Sequence, residues 1–201
     1  VTGTNADLDK GKAAINFGKI TYAEPGEYTY EVREVKGDAG GITYSKNVAT
    51  FKVTVTVNAK GELKADVEKI SGETEFKNTY SVKPVEDQIT ATKVLTGRGL
   101  KDGEFSFELV EGDKVVAKGT NAADGTIAMD KITYDKSGTH TYTLREKLPN
   151  EAGLSNGITY DKTNYTIKTS VIDNGDGTLK VTHALEGTKP ARFENKYNTA
   201  P

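Results

Sequence analysis

Apolar and polar residues alternate along most of this chain with a period of two. Clear examples are Tyr28–Glu34, Phe51–Val57, Ile89–Leu95 and Tyr165–Val171. This period is typical of β-strands that bury one face, and no stretch shows the 3.6-residue period of a helix. Short turn sequences separate the predicted strands: Asn58–Gly61, Asp102–Gly103, Asp124–Gly125 and Asp176–Gly177. The pattern predicts an all-β fold, and its regular short strands favour β-sandwiches.

The chain also contains an internal repeat, which indicates two copies of one module. Five segments recur in the same order: Gly3–Asn5 with Gly119–Asn121, Gly26–Glu34 with Gly138–Glu146, Gly41–Tyr44 with Gly157–Tyr160, Gly61–Lys64 with Gly177–Lys180, and Phe76–Tyr80 with Phe193–Tyr197. We therefore expect a first module at residues 1–80 and a second module at residues 89–201. Residues 81–88, which include Pro84, form a short linker that should restrict hinge motion.

The two copies differ in extent. The first copy begins at the counterpart of Ala117, so it has no counterpart of Ile89–Val116. We expect the first module to lack the N-terminal strand that the second module has, and the chain to be a fragment of a longer array. A first strand supplied by a separate peptide or a neighbouring chain is a candidate partner for the first module.

Three polar residues of the second copy fall on the apolar faces of predicted strands. Lys93 lies in the apolar row of Ile89–Leu95, Glu146 ends an alternating run, and Asn195 stands between two aromatic residues. Buried polar groups in a small core must hydrogen-bond one another, because leaving them unpaired costs free energy. The pattern therefore predicts that the three side chains point inward and meet.

Burial gives such a trio a specific chemistry. It lowers the pKa of Lys93 toward that of a neutral, nucleophilic amine, and it raises the pKa of Glu146. Glu146 is then expected to be protonated and to hydrogen-bond the amide oxygen of Asn195. Attack of the amine on the side-chain carbon of Asn195, with Glu146 moving protons, releases ammonia and leaves an amide crosslink. The reaction occurs once per chain, so it is a maturation step without turnover.

These residues lie in motifs that resemble a known family. The motifs Lys93–Arg98, Gly103–Leu109, Tyr142–Glu146, Gly157–Asp161 and Phe193–Tyr197 closely resemble the streptococcal-type pilin isopeptide linkage domain. That family belongs with the collagen-adhesin B-type domains of Gram-positive pilins and surface adhesins. The resemblance implies an immunoglobulin-like sandwich with a spontaneous isopeptide bond. It gives Lys93 and Asn195 the crosslink and Glu146 the catalytic role.

The first copy matches the same motifs in part. Glu34 takes the position of the catalytic glutamate and Asn78 that of the crosslinked asparagine, but the corresponding lysine lies outside the chain. Asn78 is therefore an unpaired crosslink candidate. The alternative is that Glu34 and Asn78 are buried polar residues bonded to the backbone.

Composition narrows the function further. The 201 residues carry a net charge of −2, which gives no electrostatic case for binding nucleic acid or an anionic membrane. Cysteine is absent and there are two histidines, so we expect no disulfide, no metal and no cofactor. Asp173–Gly177 resembles part of a calcium loop, but a hairpin turn is the preferred interpretation. His183 has no partner evident in the sequence.

The preferred hypothesis is a structural stalk segment of a Gram-positive pilin or adhesin. We expect an extracellular, cell-wall-attached location, with neighbouring modules of the same surface protein as partners. No signal peptide or sorting signal is visible, which agrees with a fragment. The alternative is an adhesin module that contacts a host matrix protein, and an exposed apolar patch on one module alone would favour it. An enzyme acting on external substrates is disfavoured, because no Ser-His-Asp order, metal cluster or phosphate-binding loop is present.

Overall fold

The computed structural model describes residues 1–5, 12–149, 156–187 and 190–198. The described residues are all-β, as the alternation predicts, and they form the tandem immunoglobulin-like modules that the repeat and the resemblance imply. None of them belongs to a helix with the length and apolarity needed to cross a membrane. The chain divides into two compact units, residues 1–37 with 44–78 and residues 38–43 with 79–201.

The described strands are, in chain order, β1 Gly3–Asn5, β2 Ile15–Phe17, β3 Gly26–Arg33, β4 Ile42–Thr43, β5 Val48–Val57, β6 Leu63–Ser71, β7 Thr79–Tyr80, β8 Val85–Asp87, β9 Thr90–Thr96, β10 Ser106–Glu111, β11 Lys114–Asn121, β12 Thr126–Met129, β13 Ile132–Tyr134, β14 Gly138–Glu146, β15 Ile158–Thr159, β16 Asn164–Asp173, β17 Leu179–Leu185 and β18 Arg192–Tyr197.

The first unit contains one three-stranded antiparallel sheet, in the order β3-β5-β6, and the separate pair β1-β2. In β5 the alternation buries Val53 and Val55 on one face. The turn at Asn58 joins β5 to β6, because its side-chain oxygen accepts the backbone N–H groups of Lys60 and Glu62 at 2.9 Å each. This is one of the turns that the sequence predicts.

The second unit is built around one hydrogen-bonded ladder in the order β15-β18-β9-β12-β11-β10-β14-β16-β17. The pair β9-β18 is parallel and the other neighbours are antiparallel. A register shift between Leu109 and Val110 marks a bulge in β10, and bulges bend and twist a ladder locally. The ladder folds so that residues of β10, β14 and β18 share one core, with Phe107, Leu144 and Phe193 all 0% exposed.

The segment Asp173–Gly177 forms the turn of the β16-β17 hairpin, as preferred from the sequence. The N–H of Asn174 donates to the carbonyl of Thr178 at 3.1 Å, and a carboxylate oxygen of Asp176 accepts the N–H of Thr178 at 3.0 Å. These acidic side chains therefore serve the turn itself. In the part of the chain that the structure describes, no group of three or more His, Cys, Asp or Glu side chains is placed to hold a metal ion.

The two copies bury equivalent positions to different extents. In the first unit Ile15 and Phe17 on β2 are 40% and 46% exposed. Their counterparts by strand register, Ile127 and Met129 on β12, are 0% and 1% exposed. In the second unit β12 pairs with β9, which belongs to the segment that the first copy lacks. In the part of the first unit that the structure describes, β2 pairs with β1 in a two-stranded sheet, and Ile15 and Phe17 stay uncovered.

Candidate functional site

Three polar side chains meet inside the core of the second unit. Lys93 lies on β9, Glu146 ends β14, and Asn195 lies on β18. The side chains of Lys93 and Glu146 are 0% exposed, and Asn195 is 1% exposed. The structure thus places all three predicted residues inside and brings them together.

Strand register explains how the trio assembles. In the parallel pair, Lys93 lies opposite Phe193 and Asn195 lies opposite Leu95, so Lys93 and Asn195 are two positions apart on neighbouring strands. Residues two positions apart share a face of the sheet. Glu146 comes from the other side of the core, where it lies opposite Phe107 on β10. In chain order, the first, a middle and the last strand of the nine-stranded ladder each supply one member.

Glu146 links the other two residues through its two carboxyl oxygens. Lys93 Nζ lies 2.7 Å from Oε2, and Asn195 Nδ2 donates to Oε1 at 2.7 Å. The amide oxygen of Asn195 instead accepts the backbone N–H of Asp161 at 2.7 Å. The prediction that Glu146 hydrogen-bonds the amide oxygen is therefore wrong. A backbone N–H can only donate, so it takes the oxygen and turns the amide nitrogen toward Glu146.

The surroundings of the trio are apolar and favour its neutral form. Lys93 Nζ lies 4.6 Å from the ring centre of Phe105 and 5.9 Å from that of Phe107. Burial lowers the pKa of Lys93, although the contact with Glu146 opposes this shift. Burial likewise raises the pKa of Glu146, opposed by its contacts with Lys93 and Asn195. Both shifts favour the neutral amine and the protonated carboxyl group, as predicted from burial alone.

Asp161 stands beside the trio and fixes the loop that follows β15. Its two carboxylate oxygens accept the N–H groups of Thr163 and Glu194, each at 2.8 Å. Burial alone raises the pKa of Asp161, but these hydrogen bonds outweigh it, so the pKa lies below its ordinary value. Asp161 therefore remains a carboxylate near neutral pH and ties its loop to β18 next to Asn195.

The first unit contains a matching arrangement without the lysine. Asn78 Nδ2 donates to Glu34 Oε1 at 2.6 Å, and the N–H of Ser45 donates to Asn78 Oδ1 at 2.8 Å. Glu34 Oε2, the counterpart of the lysine-binding oxygen, accepts the N–H of Ser45 at 3.1 Å. Asn78 is exposed and Glu34 half-buried. The structure therefore brings the two predicted residues together, but in a site open to solvent.

Sequence reasoning missed a second polar chain in the second unit. Thr169 Oγ1 lies 2.8 Å from His183 Nδ1, and His183 Nε2 lies 2.6 Å from Asp87 Oδ2. The order resembles a hydrolytic triad, but Thr169 is 1% exposed and cannot reach an external substrate. The sequence does carry one sign of this contact. Thr169 and His183 face each other on β16 and β17, where the first copy has the facing pair Val53 and Val67.

Comparisons with known proteins found one matching family model and several similar solved structures. The family model FctA, a Spy0128-like isopeptide-containing domain, matches residues 1–81 and 89–198. The major pilin protein (T-13) from Streptococcus pyogenes is 21% identical, over 96% of this chain and 76% of that chain, with a TM-score of 0.27. A mutant of the major pilin from Streptococcus pyogenes is 19% identical, over 92% and 76% of the two chains, with a TM-score of 0.30. No curated protein gives a significant match.

Proposed function

Because the chain belongs to the Spy0128-like isopeptide-containing domain family, we propose that it is a structural segment of a Gram-positive surface pilus or adhesin, locked by a spontaneous bond between Lys93 and Asn195. Glu146 is the catalyst. One observation carries the proposal: the buried carboxyl group of Glu146 contacts Lys93 Nζ and Asn195 Nδ2 at once, at 2.7 Å each.

The contacts indicate how protons move. Lys93 passes a proton to Glu146 Oε2, and the neutral amine attacks Cγ of Asn195. Glu146, now protonated, supplies a proton to Nδ2 so that the C–N bond breaks and ammonia leaves. The new amide keeps one of the two hydrogens on Nζ, and the other passes to Glu146, which ends the reaction protonated. One amine and one primary amide thus become one secondary amide and one ammonia, with no cofactor required.

The location of the bond suits a mechanical role. In chain order, β9 is the first strand of the nine-stranded ladder and β18 is the last. The two strands are neighbours in the ladder and run parallel. A covalent link between them transmits tension from one strand to the other without peeling them from the sheet. By analogy with a disulfide that closes a loop of about 100 residues, the chain-entropy gain is about 4–5 kcal/mol. An amide also resists reduction, which suits an extracellular, wall-attached stalk.

The first unit, we propose, takes up a lysine-bearing strand from a neighbouring module or chain. Two observations support this partner. Glu34 and Asn78 hold the same contact as Glu146 and Asn195. The exposed Ile15 and Phe17 occupy positions that β9 helps to cover in the second unit. A strand equivalent to β9 would bring a lysine to Glu34 and Asn78 and would also cover Ile15 and Phe17.

A ligand-binding adhesin module remains the alternative function. The first unit exposes Val67 and Ile70 on β6, at 67% and 54%, and Val57 on β5 at 52%. Exposed apolar side chains of this kind suit a protein ligand such as a host matrix protein. The exposed side chains on β2 favour a complementing strand over a ligand, because in the second copy the equivalent strand β12 pairs with β9.

Intact mass measurement of the purified chain tests the proposal directly. We expect a mass one ammonia below the sequence value, and a proteolytic digest that contains one branched peptide joining Lys93 to Asn195. An unshifted mass in a folded chain contradicts the crosslink. A loss of two ammonias shows that Asn78 has also found a lysine within the same chain.

A further inference from the structure

We infer that the backbone N–H of Asp161 stabilises the oxyanion that forms on Asn195 during crosslinking, and that the repeated Gly-Ile-Thr-Tyr motif serves to place this N–H. The inference rests on the proposed crosslinking reaction and adds a group that touches the reacting atoms. The N–H lies 2.7 Å from Oδ1 of Asn195, the atom on which negative charge develops when the amine attacks.

The motif fixes the position of this donor through strand pairing. β15 pairs with β18, so that Ile158 lies opposite Tyr197 and Thr159 opposite Lys196, and the chain then arrives at Asp161 beside Asn195. Gly157 begins the motif with a φ of +80°, where a Cβ would lie 2.9 Å from the carbonyl oxygen of Asn198. The N–H of Asn198 donates to the carbonyl of Gly157 at 2.8 Å. A side chain at residue 157 is therefore strained in this turn.

The carboxylate of Asp161 adds a second restraint. It accepts the N–H of Glu194, the residue that precedes Asn195, at 2.8 Å. The backbone N–H of Asp161 thus binds the side chain of Asn195, while the Asp161 carboxylate binds the backbone of β18. These two hydrogen bonds hold the N–H donor next to the amide of Asn195 before the reaction starts.

The first copy of the repeat gives a second instance of the same contact. The motif Gly41–Tyr44 precedes Ser45, and the N–H of Ser45 lies 2.8 Å from Oδ1 of Asn78. Gly41 again has a positive φ, +76°. The residue type differs between the copies, Asp161 against Ser45, but the backbone donor is the same. The shared element is therefore the N–H, and the carboxylate is a local addition.

The role in the reaction follows from charge balance. As the neutral amine of Lys93 attacks Cγ, the C=O electron pair moves onto Oδ1, and the Asp161 N–H donates a hydrogen bond to the resulting oxyanion. When the pair returns, the bond to Nδ2 breaks and Glu146 protonates the departing nitrogen. Removal of one such donor typically slows a reaction about 100- to 1,000-fold.

Substitutions at residue 161 test the inference. Cell-free synthesis quenched in acid and denaturant yields unreacted chain, which is then refolded while the loss of ammonia is followed by mass. Asp161→Pro removes the N–H, and we expect crosslinking to slow at least about 100-fold. Asp161→Ser keeps the N–H and loses only the carboxylate, so we expect a delay of less than about tenfold. Equal rates for Asp161→Pro and wild type overturn the inference.

Two controls separate this outcome from misfolding and from failure of the proposed function. In a Lys93→Ala background, where no bond can form, Asp161→Pro must keep the thermal transition of the parent within a few degrees. In that background, amide hydrogen exchange at Asp161 should be slow with Asn195 present and faster in Asn195→Ala. Rapid exchange in both also overturns the inference. Wild-type chain that folds without losing ammonia refutes the proposed function instead, and the exchange experiment still reports on the contact.

Discussion

Lys93 Nζ lies 2.7 Å from Glu146 Oε2, although three strands separate β9 from β14 in the hydrogen-bonded ladder. The contact therefore forms across the core and depends on the folding of the whole unit. An unfolded chain offers no comparable proximity, since about 100 residues separate Lys93 from Asn195. Crosslinking should consequently follow folding, and several measurements can use it as a report of the native core.

Glu146→Gln should abolish or nearly abolish crosslinking. Glutamine keeps the size of the side chain but cannot accept a proton from Lys93 or pass one to the amide nitrogen of Asn195, and general acid–base catalysis is typically worth about 100- to 10,000-fold in rate. Intact mass after purification measures the result. Glu34→Gln is the matched control in the first unit and should leave the loss of one ammonia unchanged. Full crosslinking in Glu146→Gln would falsify the catalytic role.

The crosslinked chain should be more stable than its unreacted form by about 4–5 kcal/mol, by analogy with a disulfide closing a loop of about 100 residues. Denaturant unfolding of the second unit compares the wild type with Lys93→Met, which fills a similar space without a nucleophile. The Met variant also removes the partner of buried Glu146, which stays protonated because burial raises its pKa. A difference below about 1 kcal/mol contradicts the stabilising role that loop closure predicts.

The rate of crosslinking should be flat around neutral pH and fall on both sides. The reactive form carries one shared proton on the pair, and moving it from Lys93 to Glu146 leaves the proton count unchanged. Acid adds a second proton to the pair, so that Lys93, whose pKa burial lowers, becomes an ammonium group that cannot attack. Base removes the one proton of the pair, so that Glu146, whose pKa burial raises, becomes a carboxylate with no proton for the leaving nitrogen. Refolding unreacted chain at stepped pH measures the profile, and a rate that climbs steadily with pH argues against Glu146 as proton donor.

Gly125→Ala should weaken the unit and impair crosslinking. Gly125 has a φ of +91°, its carbonyl accepts the N–H of Lys93 at 2.7 Å, and an added Cβ would overlap the Lys93 carbonyl oxygen. We expect a loss of about 1–3 kcal/mol, from backbone strain with the overlap added. Thermal unfolding in the Lys93→Met background measures it.

Gly175→Ala is the control for that substitution. Gly175 has a φ of +79°, but nothing lies within 4 Å of an added Cβ, so only the backbone strain remains. It should cost less stability than Gly125→Ala and leave crosslinking intact. Equal losses for the two variants indicate that the overlap with Lys93 does not matter.

A synthetic peptide of residues 89–109 should couple to the first unit of the folded chain. It carries the lysine strand and the following aromatic strand, and the polar contact of Glu34 with Asn78 is already formed. Mass spectrometry should find an adduct of chain plus peptide less one ammonia, with the branch at Asn78. Peptide with alanine in place of its lysine, and chain with Asn78→Ala, should give none. An adduct that persists in Asn78→Ala shows coupling elsewhere.

Local pattern was enough to predict the strands, the turns and the inward direction of Lys93, Glu146 and Asn195. The burial of these three residues is confirmed, because side chains two positions apart share one face of a strand and their neighbours are apolar. The repeat indicated that the first copy has no counterpart of Ile89–Val116, since that segment is visible only in the second copy. The catalytic and crosslinking roles stay predictions until the bond is measured.

The orientation of the Asn195 amide could not be predicted in this way. It depends on the N–H of Asp161, which reaches Asn195 through the pairing of β15 with β18. The contact of His183 with Asp87 likewise joins residues far apart in the chain. Side-chain alternation is a local property, whereas a backbone donor carries no residue-type signal at all.

The sequence by itself therefore determined the all-β class, the two copies and the candidates for the crosslink, because strand periodicity and residue type are written along the chain. Only the tertiary structure decided which atoms face one another: Glu146 against the amide nitrogen of Asn195, and the Asp161 N–H against its oxygen. The physical reason is that each buried donor must find an acceptor, and that pairing is settled by the geometry of the whole core.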